Sequence, residues 1–156
     1  MNTSVIQNEE STLNARESLS GVSEPRKQIL IVESDKDGDR KLALQLAAGG
    51  YETTTHDPAN AVAAAKKSPP DLVIVDISTL SEAGFSLAER IQQSVRWCVP
   101  TIFLTSVKES RLREKAEVFE AAGFFEGAFD GKELVSAVDL ALREGNFDET
   151  VETLSE

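Results

Sequence analysis

Residues 70–79 read Pro70-Asp71-Leu72-Val73-Ile74-Val75-Asp76-Ile77-Ser78-Thr79, and this stretch decides the fold. The aliphatic run Leu72 to Val75 is continuous rather than alternating, which predicts a strand covered on both faces, the habit of a parallel sheet. Runs of the same kind recur at Ile29-Leu30-Ile31-Val32 and Thr101-Ile102-Phe103-Leu104, with weaker ones at Tyr51–Thr55 and Phe124–Phe129. Helical spacing fills the intervals: Leu42 and Leu46; Ala61, Ala64 and Ala65; Phe85, Leu87, Ala88 and Ile91; Leu112, Ala116 and Phe119; Leu134, Val135 and Val138. Gly49-Gly50, Pro69-Pro70, Pro100 and Gly123 punctuate the change from helix to strand. Strict alternation of strand and helix predicts an α/β fold with a five-stranded doubly wound parallel sheet. Such sheets hold their functional groups in the crevice at the carboxyl ends of the strands.

The chain has 156 residues, with 27 Asp and Glu against 16 Lys and Arg, one His and a net charge of −11. One domain of about 28–145 is expected. A Ser-, Asn- and Glu-rich flexible arm (1–27) precedes it and an acidic tail (146–156) follows. The negative balance excludes nucleic acid and anionic membrane surfaces as partners, because both demand a basic face. Cys98 is the single cysteine, which excludes an internal disulfide and a cysteine-based zinc cluster. No apolar run approaches the ~18–20 residues of a membrane span, and the N-terminus lacks a secretion signal's layout. A cytoplasmic location is expected.

At the expected strand ends stand acids and hydroxyls. Strand one runs into Glu33-Ser34-Asp35, strand three into Asp76, and strand four into Thr105. If those strands are neighbours, several carboxylates share one rim and repel unless a cation sits among them. Hard oxygen ligands with room for water suit Mg²⁺. A carboxylate beside such an ion is able to attack a phosphoryl donor, and a hydroxyl such as Thr105 to hydrogen-bond the product. The bland readings are a turn-capping Asp76, solvated turn acids at Glu33 and Asp35, and an ordinary strand-end hydroxyl at Thr105.

Residue by residue, the pattern resembles the receiver domain of bacterial two-component response regulators. ILIVESD resembles the first strand with its acidic cluster, and PDLVIVDIST with EAGF the phosphoacceptor strand, Gly84 lying eight residues after Asp76. VPTIFLTS resembles strand four with its terminal Thr, and FDGKELV the start of the last helix. The resemblance implies a flavodoxin-like (βα)5 receiver fold and a role in phosphorelay signalling rather than an enzyme. It implies Asp76 as phosphoacceptor, Thr105 as switch hydroxyl, and Mg²⁺ held by Glu33, Asp35, Asp76 and the backbone carbonyl of Ser78. It also implies a sensor histidine kinase or phosphotransfer protein upstream and a downstream protein target. With no room for an attached DNA-binding module, output is expected through protein–protein contact on the fourth helix, fifth strand and fifth helix.

The departures are specific. Ser34 stands at the second position of the acidic pair, Gly127 at the position of the usual Lys, and Ala128 at the proline after it. Phe124 falls on the usual switch aromatic, and reads equally as plain core. Thr79-Leu80 replaces Met-Pro. An adaptor that works without phosphorylation is therefore the alternative function. More remote is a Mg²⁺-dependent phosphatase of the haloacid-dehalogenase type, suggested by Asp35-x-Asp37-Gly38 but lacking the later acidic pair. An EF-hand loop from Asp35 is rejected, because Arg40 stands at the turn glycine and Leu46 at the bidentate acid. His56 reads as a loop residue, and Cys98 as a small hydrophobe near strand four.

Overall fold

The computed structural model describes residues 26–34, 40–95, 98–127 and 130–155, and side chains among them except those of residue 40 and residues 144–155. Asp35, Trp97, Ala128, Phe129 and most of the N-terminal arm lie outside the described residues. Ten elements alternate: β1 (Gln28–Val32), α1 (Arg40–Ala48), β2 (Glu52–His56), α2 (Pro58–Lys67), β3 (Leu72–Asp76), α3 (Ala83–Ser94), β4 (Thr101–Thr105), α4 (Ser110–Phe119), β5 (Gly123–Glu126) and α5 (Gly131–Ser155). All pairings are parallel, in the order β2-β1-β3-β4-β5. From β1 the chain steps to β2 on one side and later to β3 on the other, so the topological switch point falls between β1 and β3. Ligand crevices of doubly wound sheets open there.

Alternation along the strands sorts the core into two layers. Leu30, Val32, Val73, Val75 and Phe103 pack with Ala61 and Ala65 of α2, Phe85, Ala88 and Ile91 of α3, and Leu112 and Ala116 of α4. Ile29, Ile31, Leu72, Ile74, Ile102 and Leu104 pack with Leu42 and Leu46 of α1 and Leu134 and Val138 of α5. Both faces of the three central strands are thus covered, which is why their sequences run apolar without a break. β2 is an edge strand, and its Glu-Thr-Thr-Thr-His sequence is polar and half-exposed accordingly.

Three local expectations are corrected. β5 ends at Glu126 rather than running on to 129, because Gly127 takes φ +65°, a left-handed conformation that cannot continue an extended strand. His56 is the last residue of β2, paired with Val32, and not a loop residue. Cys98 is exposed, its thiol facing the Gln92 side-chain oxygen at 3.7 Å. In addition α5 runs on to Ser155, through the stretch that composition reads as an acidic tail. Phe147, Val151 and Leu154 keep helical spacing there, and no proline interrupts it.

At the amino end of the sheet, the Tyr51 hydroxyl donates to the Asp139 carboxylate, tying the start of β2 to α5. Partial burial, the hydrogen bond to Asp139 and that carboxylate's charge push the phenol up to about 12, opposed by Arg143. Tyr51 is the only tyrosine, so tyrosinate absorbance reads it directly. The folded protein should titrate near 12 and the urea-unfolded chain near ~10. The raised value makes this contribution to stability complete below the unfolded pKa and lost as pH climbs through the folded one. A folded-state midpoint at the unfolded value would refute the contact.

Candidate functional site

The carboxyl rim is built by three neighbouring strands. Past β1, the Glu33 backbone N–H donates to the His56 carbonyl at 3.0 Å, extending the ladder by one residue. This fixes the Glu33 backbone, and its carboxylate-bearing side chain is buried, at 9% exposure. Val32 is paired with Val75, so Glu33 and Asp76 fall at the next matching positions of adjacent strands, about 4.8 Å apart in the ladder direction. They form the two lips of the crevice at the switch point. Ser34 beside Glu33 is exposed.

Asp76 is half-buried, and its Oδ1 accepts from the Ser78 backbone N–H at 2.9 Å. This turn two residues long orients the carboxylate and leaves Oδ2 without a hydrogen-bond donor among the described residues. Ser78 does more than sequence suggested: its Oγ accepts from the Ser106 N–H at 2.9 Å, lacing the β3–α3 loop to the β4–α4 loop. A hydroxyl two residues after an acid is too common a signal to announce such a bridge.

Behind Asp76 the loop is held by close packing. A Cβ on Gly84 would lie 2.3 Å from Ile77 Cγ2 and 3.2 Å from Ile77 Cβ. Only glycine lets α3 start this near to Ile77, which follows Asp76 and donates its N–H to the Leu104 carbonyl at 2.7 Å. The eight-residue interval between Asp76 and Gly84 is therefore a packing requirement.

Thr105 is buried, at 3% exposure, and paired with Glu126. Its hydroxyl is engaged locally, accepting from the Val107 N–H at 3.0 Å and facing the Val107 carbonyl at 3.3 Å. It lies on the same rim as Asp76, one strand across, but bonds its own loop. Gly127 donates its N–H to the Thr105 carbonyl at 2.7 Å, so the position where the resemblance expects a lysine sits directly beside the Thr105 backbone. Phe124 pairs with Phe103 and is partly buried against the α2–α3–α4 layer. The Arg113 guanidinium of α4 stands 5.2 Å from its ring centroid and also pairs with Glu126 at 2.5 Å. Phe124 is thus neither fully core nor free: an arginine clamps it to the outer face.

The structure thus brings Glu33, Asp76, Ser78 and Thr105 to one rim with Gly127 beside them, and carries Phe124 to the α4 side of β5. Among the described residues no three acidic, His or Cys side chains gather into a metal cluster. The donor set of Glu33 and Asp76 carboxylates and a backbone carbonyl, completed by water, nevertheless has the hard-oxygen chemistry that Mg²⁺ takes.

Five parallel strands in the order β2-β1-β3-β4-β5, with a helix after each, define a flavodoxin-like α/β fold. The sequence profile of the response regulator receiver domain matches residues 29–139, and the chain belongs to that family. Receiver domains are signalling modules of two-component systems, acting through contact with kinases, phosphotransfer proteins and output modules. The chain is similar to the N-terminal domain of a response regulator/sensory box/GGDEF 3-domain protein from Carboxydothermus hydrogenoformans, at 31% identity over 78% of this chain and 98% of that one, TM-score 0.66. It is also similar to NtrX from Brucella abortus, crystallised with ATP, at 25% identity over 83% of this chain but 30% of NtrX, TM-score 0.71. The chemotaxis protein CheY4 of Vibrio cholerae shares the fold, at 22% identity over 75% of this chain and 99% of its own, TM-score 0.64. No curated protein sequence matches the chain. No described helix is long and apolar enough to cross a membrane.

Gly84→Ala tests the packing behind the site. Overpacking against Ile77, which costs about 1–3 kcal/mol, should outweigh the ~1 kcal/mol that Ala gains in a helix, for a net loss of up to about 2 kcal/mol in urea unfolding. An unchanged or raised midpoint would show that α3 does not need the close approach.

Proposed function

We propose that the protein is a receiver that accepts a phosphoryl group on Asp76 and passes the signal on by protein–protein contact. The observation that carries this reading is that Glu33 and Asp76 directly follow the last β1–β3 pair, Val32 with Val75, at the switch point, with Asp76 Oδ2 left open by the Ser78 turn. Asp76 Oδ2 attacks phosphorus; the new P–O bond forms as the P–N bond to the donor's phosphohistidine breaks and the imidazole leaves, or, with acetyl phosphate, as its P–O bond breaks and acetate leaves. Glu33, Asp76 and the Ser78 carbonyl are the groups that would hold Mg²⁺, with Asp35 as a further candidate. When bound, the ion neutralises phosphoryl oxygens as they approach the carboxylate.

The Thr105 hydroxyl reads the product. To donate to a phosphoryl oxygen it gives up its contact with the Val107 carbonyl, which pulls on the β4–α4 loop. That loop leads into α4, where Arg113 grips Phe124 and Glu126. Phosphorylation is thereby coupled to the α4–β5–α5 face, the surface proposed to meet the downstream target. A histidine kinase or phosphotransfer protein is the proposed donor, and the cytoplasm the proposed location.

A second reading keeps the fold and the docking face but dispenses with the chemistry. Gly127 at the lysine position and exposed Ser34 in the acidic pair favour it, since each removes a charge from the site. Incubation with acetyl phosphate and Mg²⁺ separates the two. The expected result is one phosphoryl group by intact mass, dependent on Mg²⁺ and absent from Asp76→Asn. No adduct with acetyl phosphate or with any histidine kinase would leave the adaptor reading standing; an adduct that survives in Asp76→Asn would overturn the site.

A further inference from the structure

We infer that Lys108, from the β4–α4 loop, supplies the cation that Gly127 cannot, binding the phosphoryl oxygens opposite the metal; this rests on Asp76 as the phosphoacceptor. The observation is spatial. A side chain built on Gly127 would begin 3.8 Å from the Cε of Lys108, so the end of this lysine lies in van der Waals reach of the residue-127 position. Its Nζ is one bond beyond that atom. Gly127 in turn donates its N–H to the Thr105 carbonyl, so the end of Lys108 lies near the strand end that carries Thr105.

Charge at that corner agrees. Glu126, the nearest acid on β5, is paired with Arg113 at 2.5 Å. Glu109, the neighbour of Lys108, pairs with Arg111 at 3.4 Å, which also reaches Glu82 at 2.9 Å. Lys108 is exposed and has no ion-pair partner among the described residues. Its charge therefore stays available for an anion. Gly127 itself takes φ +65° and brings no charge to this corner.

The other cation in question is Lys132 in the first turn of α5. It is exposed, and its backbone N–H is held by Asp130 Oδ1 at 2.9 Å. No contact brings its side chain toward Gly127, so the assignment goes to Lys108.

The test uses beryllofluoride with Mg²⁺ as a phosphoryl mimic, with affinity read by calorimetry and the bound anion by fluorine NMR on the full chain. Lys108→Gln should weaken beryllofluoride roughly tenfold or more while leaving Mg²⁺ binding alone unchanged. Lys108→Arg should retain most of the affinity, and Lys132→Gln should behave as wild type. All these positions are exposed, so folding is not at stake. Equal affinity in wild type and Lys108→Gln, or a loss confined to Lys132→Gln, overturns the assignment while sparing Asp76. Absence of beryllofluoride binding to wild type, under conditions where Mg²⁺ binds, overturns both this inference and the phosphorylation on which it rests.

Discussion

Two carboxylates set side by side at the switch point constrain everything else at this rim. Strand pairing forces the Glu33 and Asp76 backbones into adjacent positions, and the aliphatic layers beneath deny either strand a slip in register. The receiver family to which the chain belongs uses such a rim for signalling, and under the proposed function the two acids are the groups that would receive a divalent cation.

From that constraint the rest of the rim follows in layers. The Ser78 turn aims one oxygen of Asp76 and frees the other. Gly84 lets α3 close against Ile77, holding the loop from behind. Ser78 Oγ and Ser106 N–H lace that loop to the one after Thr105. The Ser78 bridge links the Asp76 loop to the β4–α4 loop directly, and the proposed function adds a second route through the Thr105 hydroxyl. Both lead to α4, where one guanidinium holds a ring and a carboxylate of β5 together.

Much of this was legible in the sequence. Unbroken aliphatic runs at 29–32, 72–75 and 101–104 placed the three buried strands, because burial on both faces leaves no polar position to alternate. Glu33, Asp76 and Thr105 were legible because each directly ends or follows such a run. β5 was not well bounded: Phe124, Phe125, Ala128 and Phe129 are apolar on both sides of Glu126-Gly127, and only the left-handed Gly127 shows where extension stops. Side-chain partnerships between distant segments left no trace in spacing. The Ser78–Ser106 bond spans 28 residues, and the approach of Lys108 to Gly127 depends on how two loops meet. Thr105 could be assigned a position but not the orientation of its hydroxyl, which a local turn decides.

The central claim is that Glu33 and Asp76 together form a cation site, and a Mg²⁺ titration followed by backbone amide NMR tests it most directly. Saturable shifts should centre on Glu33, Asp76 and Ser78, extend to Ser106, and vanish in Glu33→Gln. Shifts confined to the acidic residues of the C-terminal segment, or a titration that Glu33→Gln leaves intact, would contradict it.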